Sequence, residues 1–269
     1  MGVAALVGAG KELSPATGKP VDQCGSVSMW TDISKKMYKN WIYKKIGLEI
    51  DEEDNEEDEQ DQTENEDLIP QGVMCTEKFL HADEMSRVMN GAEVVPNSWN
   101  WYAYFFGCGG TILSREWIVT AAHCGFIEKG SQVAVGFHDD LEADSVQMLE
   151  VLEVIPHKSY EKPHPNSNDI MLVRVTPITF DGKTVNPACI QKDTSMFEGK
   201  RCYAAGMGFL ENDGEPINAE NVQSTSLVIG GGGCNSYWNQ LPEILCAGDN
   251  TNQVISVNLS FRSNQSFNY

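Results

Sequence analysis

Residues 51 to 67 read DEEDNEEDEQDQTENED, with 12 acids and no base. Such a run repels itself and keeps its water, so it cannot enter a core. Whatever folds in this chain must fold on either side of it. The run is expected to be a disordered linker; calcium buffering and docking to a basic partner are the other uses open to it. It also accounts for most of the net charge of −20. Elsewhere 19 bases stand against the 27 remaining acids, and nothing favours nucleic acid. The 269 residues suit one large domain with appendages, and at 41% apolar they can bury a core. No stretch approaches the ~20 apolar residues of a membrane span. The first residues, MGVAALVGAGKELSP, carry no base before their short apolar stretch and match a signal peptide poorly.

The chain divides into an N-terminal segment, 1–50, the acidic linker and its exit, 51–87, and a region from Val88 with the composition of a folded domain. In the first, MWTDISKKMYKNWIYKKIGLEI repeats apolar residues at helical spacing. Trp30, Ile33, Met37, Trp41 and Ile42 share a face, while Lys35, Lys36, Lys39, Lys44 and Lys45 lie mostly off it. This basic amphipathic helix has three possible settings: packed on the main domain, part of a fragment of another module, or resting on a membrane or partner. From Val88 the signal changes to β. SQVAVGFH, SVQMLEVLEVIPH, DIMLVRVTPI, RCYAAGMGF and TSLVIGG are short apolar or alternating runs separated by Gly, Asn, Asp and Pro. Many short strands with turn signals predict a barrel or sandwich.

Eight cysteines, at 24, 75, 108, 124, 189, 202, 234 and 246, include no C-x-x-C pair. That argues against zinc and for disulfides made in an oxidising compartment. Only His123, in IVTAAHCGF, adjoins a cysteine. It is either a catalytic base or a core histidine beside a structural cysteine. Cys108 lies 16 residues before Cys124, and a strand hairpin between them would bring the sulfurs together beside the histidine. Further on, Asp169 heads the apolar run IMLVRV. A carboxylate there is costly to bury without a partner, and an imidazole N–H would supply one. Histidine and aspartate so related form the base-and-orienter pair of nucleophilic catalysis.

CGGTILSREWIVTAAHC and NDIMLVRV together resemble the histidine and aspartate motifs of the trypsin/chymotrypsin serine proteases, peptidase family S1. His123 and Asp169 are 46 residues apart, against roughly 45 in the template triad. The resemblance implies an all-β fold, a double antiparallel barrel, here with its second barrel incomplete and preceded by a largely disordered N-terminal extension. It implies that SRVMNGAEVVPNSWNW is a zymogen activation junction, cut after Arg87 by an activating protease to free the amine of Val88. It implies disulfides Cys108–Cys124, Cys234–Cys246 and Cys75–Cys189, the last holding the cleaved propeptide. Cys202 matches a cysteine whose partner follows the catalytic serine, and Cys24 is left unassigned. The family's calcium loop would fall near GFHDDLEAD, where Phe137 replaces the first acidic ligand; no metal and no cofactor are expected.

The match runs through ILCAGD, ending at Asp249, and the sequence then reads NTNQVISVNLSFRSNQSFNY. The GDSGGP motif, with the nucleophilic serine and the backbone N–H groups of the oxyanion hole, is absent. The template places its nucleophile roughly 93 residues after the aspartate, near Ser260 and Ser263. Neither has the neighbours that the motif demands; NLS and NQS read instead as glycosylation-type sequons at Asn258 and Asn264. The expected organisation is therefore 1–50, 51–87, a truncated protease domain over 88–249, and a divergent tail over 250–269. The expected function is a secreted, monomeric serine endopeptidase zymogen by family, meeting polypeptide substrates or inhibitors but inactive as this chain stands. The alternatives are a non-catalytic binding or decoy protein on a protease scaffold (a pseudoenzyme) and an unstable fragment of an active protease.

Overall fold

A computed structural model of the chain describes residues 7–8, 28–31, 35–46, 92–94, 96–164, 167–188, 199, 201–207, 209–212, 215–229 and 244–248. Six strands close a barrel: β4 (Tyr102–Tyr104), β5 (Gly109–Ile112), β6 (Trp117–Thr120), β7 (Gln132–Val135), β8 (Gln147–Pro156) and β9 (Met171–Val175). The closed order is β4-β5-β6-β9-β8-β7, and every neighbouring pair is antiparallel. Closure removes free sheet edges, which suits strands this short. Ile112, Ile118, Val119, Val133, Val135, Val151, Leu172, Val173 and Val175 are fully buried; neighbours such as Ile118 and Val119 face opposite sides of the barrel wall, so both faces are covered. Each such side chain contributes about 1.5–3 kcal/mol on leaving water. In β9, MLVRV, only Arg174 is not buried; it pairs with Glu153 across the strand at 3.2 Å.

The remaining strands form an open sheet. Its path is β1 (Val7–Gly8), β2 (Ser28–Thr31), β14 (Ile244–Gly248), β13 (Gln223–Ile229) and β10 (Arg201–Gly206), with β3 (Ala92–Glu93) also on β13. A separate hairpin joins β11 (Phe209–Asn212) to β12 (Glu215–Asn218). The second sheet does not close among the described residues, whose elements are mostly β-strands and include one complete barrel.

The helix is α1, Lys36–Ile46, and it packs on the first barrel. The expected face is met in part: Ile42 is buried and Trp41 packs against the core, while Ile33 lies outside the described residues. Trp30 belongs to strand β2, and Met37 is 52% exposed, whereas Tyr38 and Ile42 are the buried pair. The helix starts only at Lys36, so the apolar period counted from Trp30 mixed a strand with a helix. Tyr38 and Ile42, four residues apart, then lie on one face. No helix among the described residues is long and apolar enough to cross a membrane.

Gly136 ends the β7 edge of the barrel in a left-handed conformation, φ 72°. A Cβ there would stand 2.3 Å from the Ser145 carbonyl oxygen and 2.9 Å from Val185. Gly136→Ala is expected to destabilise the chain by about 1–3 kcal/mol through overlap and backbone strain, read as a lower urea midpoint. An unchanged midpoint would mean that the loop from Gly136 to Ser145 relaxes freely.

Candidate active site

Two loops leave the same end of the first barrel because β6 and β9 are antiparallel neighbours. Thr120, the last residue of β6, lies opposite Met171, the first of β9. His123 follows Thr120 by three residues and Asp169 precedes Met171 by two, so register alone brings their loops together. The small residues Ala121 and Ala122 are buried and let the chain turn tightly, with Cys124 N–H donating to the Ala121 carbonyl at 3.2 Å.

Asp169 is buried, and both of its oxygens are used on one residue. Oδ1 accepts from the His123 backbone N–H at 2.8 Å, and Oδ2 lies 2.6 Å from His123 Nδ1. An ionised carboxylate only accepts, so Nδ1 carries the hydrogen and Nε2 presents its lone pair. The side chain of His123 is 23% exposed, while Nε2 is itself covered and has no hydrogen-bond partner among the described residues. The charge of Asp169 is felt nearby: the Tyr160 phenol is pushed up to about 12, by burial first and then by Asp169 and Glu161. An aspartate-oriented imidazole with a basic Nε2 can take a proton from a hydroxyl and return it to a leaving group.

The backbone around His123 is pinned. Cys108 and Cys124 form a disulfide across the β5–β6 hairpin, with Cα atoms 6.3 Å apart. Thr120 Oγ1 donates to the Gly109 carbonyl at 2.8 Å. Gly110 permits this close approach, since a Cβ there would meet Ile118 at 2.8 Å and Phe105 at 2.9 Å. Cys108, His123 and Cys124 offer ligand atoms within 4.8 Å of one another. The two sulfurs are bonded to each other, so this trio has no thiolate for a metal. Phe137, at the first position of the expected calcium loop, stacks on Tyr104 at 5.4 Å instead.

Asn168 is the site residue that sequence reasoning missed. It adopts φ 53°, a left-handed conformation that asparagine tolerates. Its Nδ2 donates to the Ser159 and Lys162 carbonyls at 3.2 and 2.7 Å, and its Oδ1 accepts from the Tyr38 hydroxyl at 2.9 Å. The available signal was the Asn-Asp pair at the head of a buried strand. Arg87, Val88, Cys24, Cys75, Cys189, Cys234, Asn258, Ser260, Ser263 and Asn264 lie outside the described residues. Cys202 and Cys246 are placed by backbone alone, opposite Leu227 and Met29.

A relative described as "Ovochymase", from Halocynthia roretzi, is 29% identical over 165 residues, which is 56% of this chain and 10% of that protein. The chain thus spans about a tenth of that relative's length. A solved structure described as "Structure of GrC" is 28% identical, with a TM-score of 0.45 over 52% of this chain and 64% of the other. The family model described as Trypsin matches residues 88–257. With the closed first barrel and the paired histidine and aspartate already in place, that match over more than half of the sequence shows that the chain belongs to the trypsin family of serine proteases.

Proposed function

We propose that residues 88–249 form a serine endopeptidase domain of zymogen type, carrying the general base and its orienter without a nucleophile, so that this chain does not hydrolyse peptide bonds. The observation that carries the family part of the reading is the double hydrogen bond of Asp169 to His123, which holds one tautomer ready with Nε2 as the basic nitrogen. In the family reaction His123 would take the serine proton and pass it to the leaving amine, while Asp169 stabilises the imidazolium. The sequence after Asp249 supplies neither the serine nor the glycine-flanked N–H groups of an oxyanion hole. The protein is read as secreted, with Cys75–Cys189 keeping the propeptide attached after cleavage at Arg87–Val88 and Cys234–Cys246 bracing the second sheet. Polypeptide substrates or inhibitors are its partners.

A serine-directed fluorophosphonate probe tests this on purified full-length chain cleaved after Arg87. The expected result is no labelling and no turnover of peptide substrates. Stoichiometric labelling would overturn the reading. The second reading, a non-catalytic binding or decoy protein, is favoured by a first barrel that is fully built around the site. It requires soluble, folded secreted chain, whereas retention and degradation in the cell mark an unstable fragment.

A further inference from the structure

The acidic run separates the N-terminal segment from the barrel in sequence, yet both of its longer described elements are seated on the domain. Strand β2 hydrogen-bonds along β14, from Thr31 opposite Ile244 to Ser28 opposite Ala247. A few residues later, α1 buries Tyr38 and Ile42 completely in the first barrel's core cluster, with Trp41, Tyr43 and Ile46 packed partly against it. Strand β2 and helix α1 thus touch the second sheet and the first barrel respectively.

Neither element is built to stand alone. An 11-residue helix is marginal in water, and α1 has no acid in its first turn, although Lys44 and Lys45 suit the dipole at its last. A four-residue strand has no stability apart from its sheet. Their order therefore comes from docking, and the docking is specific. The buried Tyr38 hydroxyl donates to Asn168 Oδ1 at 2.9 Å, across 130 residues of sequence. Trp41 and Tyr38 meet the His157 ring edge-on, at centroid distances of 5.1 and 5.7 Å. Burial, and then Lys158, lowers the basicity of that ring, and its Nδ1 accepts from the Ser159 N–H at 3.3 Å. Asn168 ties the 159–162 loop and directly precedes Asp169.

We propose that strand β2, residues 28–31, and helix α1, residues 36–46, are a built-in closing element of the protease domain: β2 extends the second sheet beyond β14, and α1 buttresses the aspartate loop, with Tyr38 a positioning residue for the Asp169–His123 pair through Asn168. The segment then stays on the domain by its own contacts after the acidic linker or the Arg87–Val88 bond is cut. The inference holds whether or not a nucleophile is present.

The test uses the full chain with a site for a sequence-specific protease placed within residues 51–67, and Cys24→Ser to remove the one cysteine before the cut. After cleavage the N-terminal fragment is expected to co-elute with the remainder on gel filtration at low micromolar concentration. The Tyr38→Ala/Ile42→Ala double variant is expected to release it. Separation of the unsubstituted fragment overturns the proposal, as does full retention in the double variant. The positioning role has its own readout. Tyr38→Phe keeps the ring and deletes only the hydroxyl, so the fragment should remain bound. The low-field proton signal of His123 Nδ1–H, assigned by its loss in His123→Gln, should shift and exchange with water several-fold faster. Met37→Ala, at an exposed position on the same helix, should change neither. An unmoved signal in Tyr38→Phe sinks the positioning role.

Discussion

Asp169→Ala is expected to destabilise the chain by about 2–4 kcal/mol, read as a lower urea midpoint with an unchanged slope. Asp169 is buried, and it accepts from both the His123 backbone N–H and the Nδ1 hydrogen. Alanine leaves the backbone donor without a partner, at about 1–3 kcal/mol. The imidazole loses its partner too, but its side chain is 23% exposed and can recover part of that loss from water. Asp169→Asn separates the two bonds. Its amide oxygen can still accept from the His123 N–H, while its NH₂ group faces Nδ1 and forces the ring hydrogen onto Nε2. The asparagine variant should therefore lose less stability than the alanine one, yet reverse the His123 tautomer in ¹⁵N NMR. An unfolding free energy for Asp169→Ala within ~0.5 kcal/mol of the unsubstituted chain's, the ordinary range for an uninvolved surface position, would show that the pair does not hold these loops together.

The parts of this fold that could be read from sequence are those whose cause is local. Strands β7, β8 and β9 announce themselves by short apolar runs between turn residues, and each is a wall of the barrel. His123 and Asp169 were legible through the motifs around them, which resemble those of a known family; the antiparallel register of β6 and β9 is the physical reason that a separation of 46 residues becomes contact. Cys108–Cys124 was legible as a hairpin tie. Asn168 was not legible, because its role depends on a hydroxyl from Tyr38, 130 residues earlier and beyond the acidic run. The phase of α1, right for Trp41 and Ile42, was wrong at Met37 for a related reason. Trp30 takes its conformation from pairing with Leu245 in β14, a partner that no local period can reveal. Once Trp30 is removed from the helix, the inward residues are Tyr38 and Ile42, and Met37 turns outward. The pattern of apolar residues was present; the tertiary contacts decided which of them the helix owned.

Removing the Cys108–Cys124 bond is expected to cost about 3 kcal/mol, the chain-entropy value for a closed loop of this size, here spanning 16 residues. Both cysteines are buried, so serine would add two hydroxyls needing partners and confuse the measurement. The Cys108→Ala/Cys124→Ala variant isolates the covalent effect more cleanly. At about 2–4 °C per kcal/mol for a domain of this length, the melting temperature should fall by roughly 6–12 °C. The loss has a local component as well, because Cys124 directly follows His123 and its partner stands beside Gly109, whose carbonyl accepts from Thr120. With the bond gone, that hydrogen bond, the β5–β6 pairing and the bonds from His123 to Asp169 are left to hold the turn on which His123 sits. Amide exchange at Ala121 to Phe126 should then accelerate more than exchange in β8 and β9, where the barrel's ladder is longest. Equal acceleration throughout the barrel would assign the disulfide a purely global role and detach it from the histidine it adjoins.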